Sequence, residues 1–164
     1  MRYQGNIYRP PSEARSLIIQ ATIGCSHNKC TFCGMFKDKH FQMRHTQEII
    51  EDIHSAREYY PRIKRIFLAD GDALIIKTRE LMKVLHYIKT IIPECERVGI
   101  YASPKSVSIK SVEELVQLRQ AGLKIAYMGL ESGNDEVLEE DMINELKEAI
   151  AGKIDFRSEY LRGL

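Results

Sequence analysis

An alternation of strand-like and helix-like segments predicts an α/β fold built on a parallel sheet. Short apolar runs recur at Leu17–Ile23, Arg65–Ala69, Val98–Ala102 and Lys124–Met128, each followed by helical spacing of apolar residues. The runs are continuous rather than alternating, which suits strands covered on both faces. A βαβαβαβα order joins parallel strands through right-handed crossovers. With 164 residues and 44% hydrophobic composition, the chain has the size of one domain and can fill one core. We place the core at 16–133 and a C-terminal helix and tail at 134–164.

The elements follow in order. The first strand spans about Leu17–Ile23 and leads into a long loop, Gly24–His45. Thr46 is the expected N-cap of the first helix, in which Ile49, Ile50, Ile53 and Ala56 share one face and which Pro61 stops. The second strand, Arg65–Ala69, ends in the turn Asp70-Gly71-Asp72. The second helix starts near Thr78, buries Leu81, Val84, Leu85 and Ile88, and closes at Pro93. The third strand, Val98–Ala102, ends at Ser103-Pro104. A capping box, Ser111-Val112-Glu113-Glu114, opens the third helix, which stops before Gly122. The fourth strand, Lys124–Met128, precedes Gly129-Leu130-Glu131-Ser132-Gly133. A last helix is expected from about Asp135 to Ala151, and Lys153–Phe156 is too short to read as a strand.

Charge excludes some functions. The 24 basic and 23 acidic residues leave a net +1, so nothing draws the chain to nucleic acid or an anionic membrane. No apolar run approaches the ~20 residues of a membrane span. The start, Met1-Arg2-Tyr3-Gln4-Gly5, has no apolar signal core, so a cytoplasmic protein is expected.

The cysteines carry the chemistry. Cys25, Cys30 and Cys33 fall within nine positions on the loop after the first strand. That clustering is unlike a disulfide framework and points to metal or redox use. Three thiolates can hold three corners of a cubane iron–sulfur cluster, for which a full protein set is four. The fourth iron then stays open for chemistry, as a catalytic zinc keeps one position open. A structural zinc site is the alternative, with Cys30-x2-Cys33 as one half, His27 or Cys25 as an added ligand and His40 and His45 as the nearby extras, although no second ligand pair is spaced for it. Cys95 precedes the third strand and so belongs at the opposite rim, as a partly buried structural thiol. Lys37, Lys39 and Arg44 read as a solvated basic stretch. In a parallel sheet, ligands collect at the carboxyl ends of the strands. The cysteine loop, Asp70-Gly71-Asp72, Ser103 and Glu131-Ser132 all fall there.

With these loops in place, the chain resembles the radical S-adenosylmethionine (radical SAM) superfamily. The spacing here is C-x4-C-x2-C, one residue longer than the usual C-x3-C-x2-C, and Phe32 occupies the aromatic position beside the last cysteine. Asp70-Gly71-Asp72 stands where that family has a Gly-Gly-Glu-like motif, with only the central glycine strictly matched. Gly129-Leu130-Glu131-Ser132-Gly133 resembles the fourth-strand motif of the Elongator and anaerobic coproporphyrinogen-oxidase-like branch. The resemblance implies a metal-binding oxidoreductase with a [4Fe–4S] cluster on Cys25, Cys30 and Cys33. It also implies S-adenosylmethionine held by Phe32, Asp70, Gly71, Asp72, Ser103, Glu131 and Ser132, and a one-electron reductant such as flavodoxin or ferredoxin. The implied reaction is reductive cleavage to a 5′-deoxyadenosyl radical acting on a substrate the sequence does not specify.

The implied fold is a partial (β/α) barrel of about four units. Six units would need roughly 190 residues at the ~250 of an eight-unit barrel. Only 31 residues follow Gly133, which leaves strands 5 and 6 missing. The fourth strand would then present an open edge, inviting an edge-strand dimer. A shortened, non-catalytic cluster-binding fragment is therefore the alternative to an active enzyme, ahead of a small zinc protein.

Overall fold

The computed structural model describes residues 1–30 and 33–129, together with the backbone of residues 155–157. Phe32, Glu131, Ser132 and the expected last helix lie outside the described residues. Five parallel strands form the main sheet in the order β1 (Leu17–Gln20), β4 (Arg65–Ala69), β5 (Arg97–Ala102), β6 (Leu123–Met128) and β7 (Asp155–Arg157). Helices α1 (Thr46–Tyr59), α2 (Thr78–Ile91) and α4 (Val112–Gln120) make the crossovers. The α/β parallel sheet expected from the alternation is what the chain adopts, consistent with the partial barrel that the resemblance implies.

Both faces of the sheet are buried, which explains the continuous apolar runs. On the helix side, Ile19, Ile66, Leu68, Val98 and Ile100 pack with Ile49, Ile53, Leu81, Leu85 and Leu118. On the other side, Ile18, Phe67, Ala69, Ile125 and Tyr127 form a second cluster against Ile7 and Tyr101. There the rings of Phe67 and Tyr101 meet edge to face at 4.9 Å, and Phe67 and Tyr127 at 5.7 Å.

Four local expectations are corrected. The first strand is split. Its run leaves the sheet at Ala21, and β2 (Thr22–Ile23) pairs antiparallel with β3 (Gln42–Met43) to form a neck for the cysteine loop. The carbonyl of Ala21 accepts from the Arg44 amide at 3.1 Å, across that neck. His45, not Thr46, is the N-cap of α1: it is extended, and its amide donates to Glu48 Oε2 at 3.2 Å. Thr46 is the first helical residue, and its hydroxyl donates to Glu80 Oε2 at 2.7 Å. Ser103 opens an unexpected helix, α3 (Pro104–Ser108), with its hydroxyl accepting from the Ser106 amide. Finally, residues 155–157 do form a strand. β7 pairs with β6 through Ile125↔Asp155, Ala126↔Phe156 and Tyr127↔Arg157, so the edge expected to be open is covered there. Three residues carry no readable periodicity, and the neighbouring ladder supplies what the local sequence lacks.

Three further local expectations hold. The Ser111 hydroxyl accepts from the Glu114 amide while Glu114 accepts from the Ser111 amide, closing the box at α4. Gly122 follows α4 at φ 118, a conformation natural only to glycine. Cys95 lies just before β5, partly buried, with its thiol on the Arg97 carbonyl at 3.4 Å. Among the described residues no helix is long and apolar enough to cross a membrane.

Candidate metal and cofactor site

The site is built where β1 and β4 end side by side. The chain leaves β1 through β2 into the cysteine loop, and leaves β4 into Asp70-Gly71-Asp72. These two segments are brought together. A Cβ on Gly71 would meet Cys25 Cβ at 2.8 Å, Cys25 Cα at 2.9 Å and Phe36 Cε2 at 2.9 Å. Glycine at 71 therefore lets the β4 turn lie directly against the first cysteine.

The flanking carboxylates are fully buried and face protein donors. Asp70 Oδ2 accepts from the Gly24 amide at 2.9 Å, Gln20 Nε2 at 3.1 Å and Lys39 Nζ at 2.9 Å. Its Oδ1 has no partner among the described residues. Asp72 Oδ2 accepts from the hydroxyls of Ser26 and Ser103, the latter at 2.8 Å, and Oδ1 accepts from the Ser103 amide at 3.1 Å. Asp72 thus ties the residue after Cys25 to the end of β5. The predicted Asp70, Gly71, Asp72, Ser103 and Cys25 are all assembled at one end of the sheet.

The loop itself is pinned from within. Asn28 takes the left-handed conformation at φ 46, which asparagine tolerates, and its Nδ2 donates to the carbonyls of Phe36 at 2.9 Å and Lys39 at 3.3 Å. Lys39 and Arg44 are not a solvated stretch, which corrects the sequence reading. Both are buried. Lys39 pairs with Asp70, while Arg44 pairs with Asp52 at 2.8 Å and donates to the Gln20 carbonyl at 2.7 Å. Lys37 is exposed, as expected, and so are His27, His40 and His45. Sequence reasoning missed Gln20, Ser26, Asn28 and Lys39. The Gly24-Cys25 step was a signal for the tight entry, but polar partners up to fifty residues apart leave none.

All four cysteines are outside disulfides and partly exposed. Among the described residues, no three His, Cys, Asp or Glu side chains converge on a single metal-ion position. A cubane cluster asks for something else, one thiolate at each of several iron corners. Three reduced, accessible thiols on a loop at the ligand end of a parallel sheet fit that demand. Two surface clefts, of about 360 and 570 Å³, lie away from the cysteines. The first is walled by Arg9, Arg15, Arg62 and Arg65, the second by Thr46, Glu80 and Lys83.

Burial also tunes one neighbour. Lys110, against the segment that leads into α2, donates to the Ile76 carbonyl at 2.9 Å, and desolvation holds its ammonium below the usual lysine value.

The sequence matches the family model described as the radical SAM superfamily over residues 19–163. Curated protein sequences give no match. Among solved structures, methylornithine synthase (PylB) is similar with TM-score 0.57 and 14% identity, over 86% of this chain and 42% of that one. The radical S-adenosylmethionine methyltransferase TsrM from Kitasatospora setae, solved with cobalamin and a [4Fe–4S] cluster, gives 0.63 and 16%, over 86% and 30%. The cobalamin-dependent S-adenosylmethionine radical enzyme OxsB gives 0.64 and 19%, over 87% and 23%. At these identities the likeness is one of fold, and this chain spans less than half the length of each. Matched from residue 19 to residue 163, the chain belongs to the radical SAM superfamily.

Proposed function

We propose that the chain holds a [4Fe–4S] cluster on Cys25, Cys30 and Cys33 and presents its open iron to S-adenosylmethionine, for reductive cleavage and hydrogen abstraction from a substrate. The observation that supports this reading is Cys25 packed on Gly71 where β1 and β4 end, on a loop whose three cysteines are outside disulfides. When bound, the two cofactors supply one-electron cleavage of a sulfonium bond, and the protein supplies orientation and exclusion of side reactions.

The chain's own residues divide that work. Cys25, Cys30 and Cys33 are the metal ligands. The backbone of Asp70-Gly71-Asp72 and the end of β5 at Ser103 border the space for the methionine end. Asp70 and Asp72 serve there by fixing Gly24, Ser26 and Ser103, since their bonded oxygens are engaged by protein donors. Phe32 offers a packing face for adenine, and Glu131 and Ser132 offer acceptors for ribose hydroxyls or the amino group. The Gly129–Gly133 motif supports membership of the Elongator and coproporphyrinogen-oxidase-like branch. A flavodoxin- or ferredoxin-type protein is the reductant, in a cytoplasmic setting.

A second reading is a cluster-binding fragment that does not turn over. The chain spans 23 to 42% of the length of its structural neighbours.

Anaerobic reconstitution tests the reading. The expected product is a brown protein with about four irons per chain that releases 5′-deoxyadenosine on reduction with S-adenosylmethionine. A loaded cluster with intact S-adenosylmethionine supports the fragment. A colourless protein with one zinc overturns both.

A further inference from the structure

Gly24 and Lys39 bracket all three cysteines, and both are bonded to the same atom. Asp70 Oδ2 accepts from the Gly24 amide at 2.9 Å and from Lys39 Nζ at 2.9 Å. The loop that carries the thiols therefore starts and finishes on one carboxylate oxygen at the tip of β4. Resting on the cluster reading above, we propose that Lys39 is a positioning residue: with Asp70 it forms a clasp that shapes the cysteine loop before any iron arrives.

The space for Lys39 is built in. Its stem runs between two glycines that both take the left-handed conformation, Gly5 at φ 67 and Gly24 at φ 72. A Cβ on Gly5 would meet Lys39 Cε at 2.8 Å, and one on Gly24 would meet Lys39 Cβ at 3.2 Å. The ammonium also donates to the Asn6 carbonyl and stands 5.4 Å from the centre of the Phe36 ring. Phe36 in turn lies where a Cβ on Gly71 would fall. One lysine thus joins the amino-terminal segment, both ends of the loop and the β4 turn.

The energetics favour a role in geometry over one in bulk stability. Lys39 is 8% exposed and Asp70 is fully buried, so both charges lose their water. Such a pair adds little net stability, yet removing one partner leaves an uncompensated charge in the interior. What the pair fixes is where the loop's two ends sit. Groups that orient metal ligands in this way commonly change metal retention by about ten- to a hundredfold when lost.

The test uses the full chain as Lys39→Met, Asp70→Asn and the double variant. In cluster-free protein, amide hydrogen exchange across residues 24–39 is expected to speed up in both single variants. The double variant, free of an unpaired charge, recovers part of that protection, while α4 exchanges as in the parent throughout. After reconstitution, chelator-driven iron loss is expected to be at least about tenfold faster in Lys39→Met. Parent-like exchange across the loop in Lys39→Met, or parent-like iron loss, overturns the clasp. If Lys39→Met does not fold, the near-isosteric Asp70→Asn decides by the same two readouts. If the parent itself takes up no iron, the cluster reading falls, and exchange in the cluster-free chain alone decides the clasp.

Discussion

The two ends of the sheet bury carboxylates for different purposes. At the amino end, Glu13 is fully buried beneath the second cluster, with Oε1 accepting from Arg97 Nη2 at 2.7 Å and from the Tyr127 hydroxyl at 2.6 Å, and Oε2 from the Ser16 hydroxyl. Those donors come from β5, β6 and the lead into β1, so Glu13 closes the floor of the barrel. At the carboxyl end, Asp70 and Asp72 are as buried, but their donors come mainly from the cysteine loop and from Ser103. One network seals apolar strands together. The other holds a polar loop in place and leaves its thiols partly exposed. Burial of a charge therefore does not mark function by itself. The identity of its donors does.

That contrast can be broken from either end. The largest effect is expected from Cys25→Ala, Cys30→Ala or Cys33→Ala, each reducing iron per chain to background after anaerobic reconstitution, while Cys95→Ala loads like the parent. Full loading of all three would sink the metal assignment. Glu13→Ala comes next. It strands Arg97 and is expected to cost about 3–5 kcal/mol in urea unfolding, with iron per folded molecule unchanged. A folded Glu13→Ala protein that lost its iron would erase the distinction between the two ends.

A matched pair of glycines sharpens the comparison further. Gly71→Ala pushes a Cβ to 2.8 Å from Cys25, and Gly99→Ala pushes one to 3.1 Å from Phe67 and 3.2 Å from Glu13 Oε1. Overpacking of this kind costs about 1–3 kcal/mol. Thermal melts are expected to fall for both, with Gly71→Ala alone losing iron faster.

The smallest effect is a pH dependence at the floor. Desolvation, above its other causes, pushes the Cys95 thiol above its ordinary value. The folded chain then keeps this proton longer than the unfolded chain does. Its contribution to stability is complete below the unfolded value of about 8.5 and is lost as pH rises through the folded value. Urea melts at pH 7.5 and 9.5 should lose stability between them, and Cys95→Ala should remove part of that loss.

Much of this arrangement was readable in advance, and the reasons are physical. Strands buried on both faces write themselves as runs such as Ile66-Phe67-Leu68-Ala69, helix α2 carries a clear apolar stripe, and helix α4 opens on a capping box. The cysteine spacing is local, so it was visible. The break at Ala21 was not, because an apolar run does not say which neighbour its amides will pair with. Nor was Lys39. A lysine in a basic stretch looks solvated until a carboxylate thirty-one residues away arrives beside it. The first strand's neighbour on the sheet, and hence the whole clasp, is decided by long-range pairing.

The chain's opening residues bear on how the molecule meets others. β1 pairs with β4 on one side, and along its other side Tyr3 donates its hydroxyl to the Ile18 carbonyl at 2.7 Å while the Gln4 amide donates to Gln20 Oε1 at 2.8 Å. Arg2 anchors this strap to Asp52 and Glu51 on α1. An incoming extended peptide must displace a phenol and an amide before it can zip onto that border. Fraying of just a few leading residues would thus turn a shielded flank into an adhesive one.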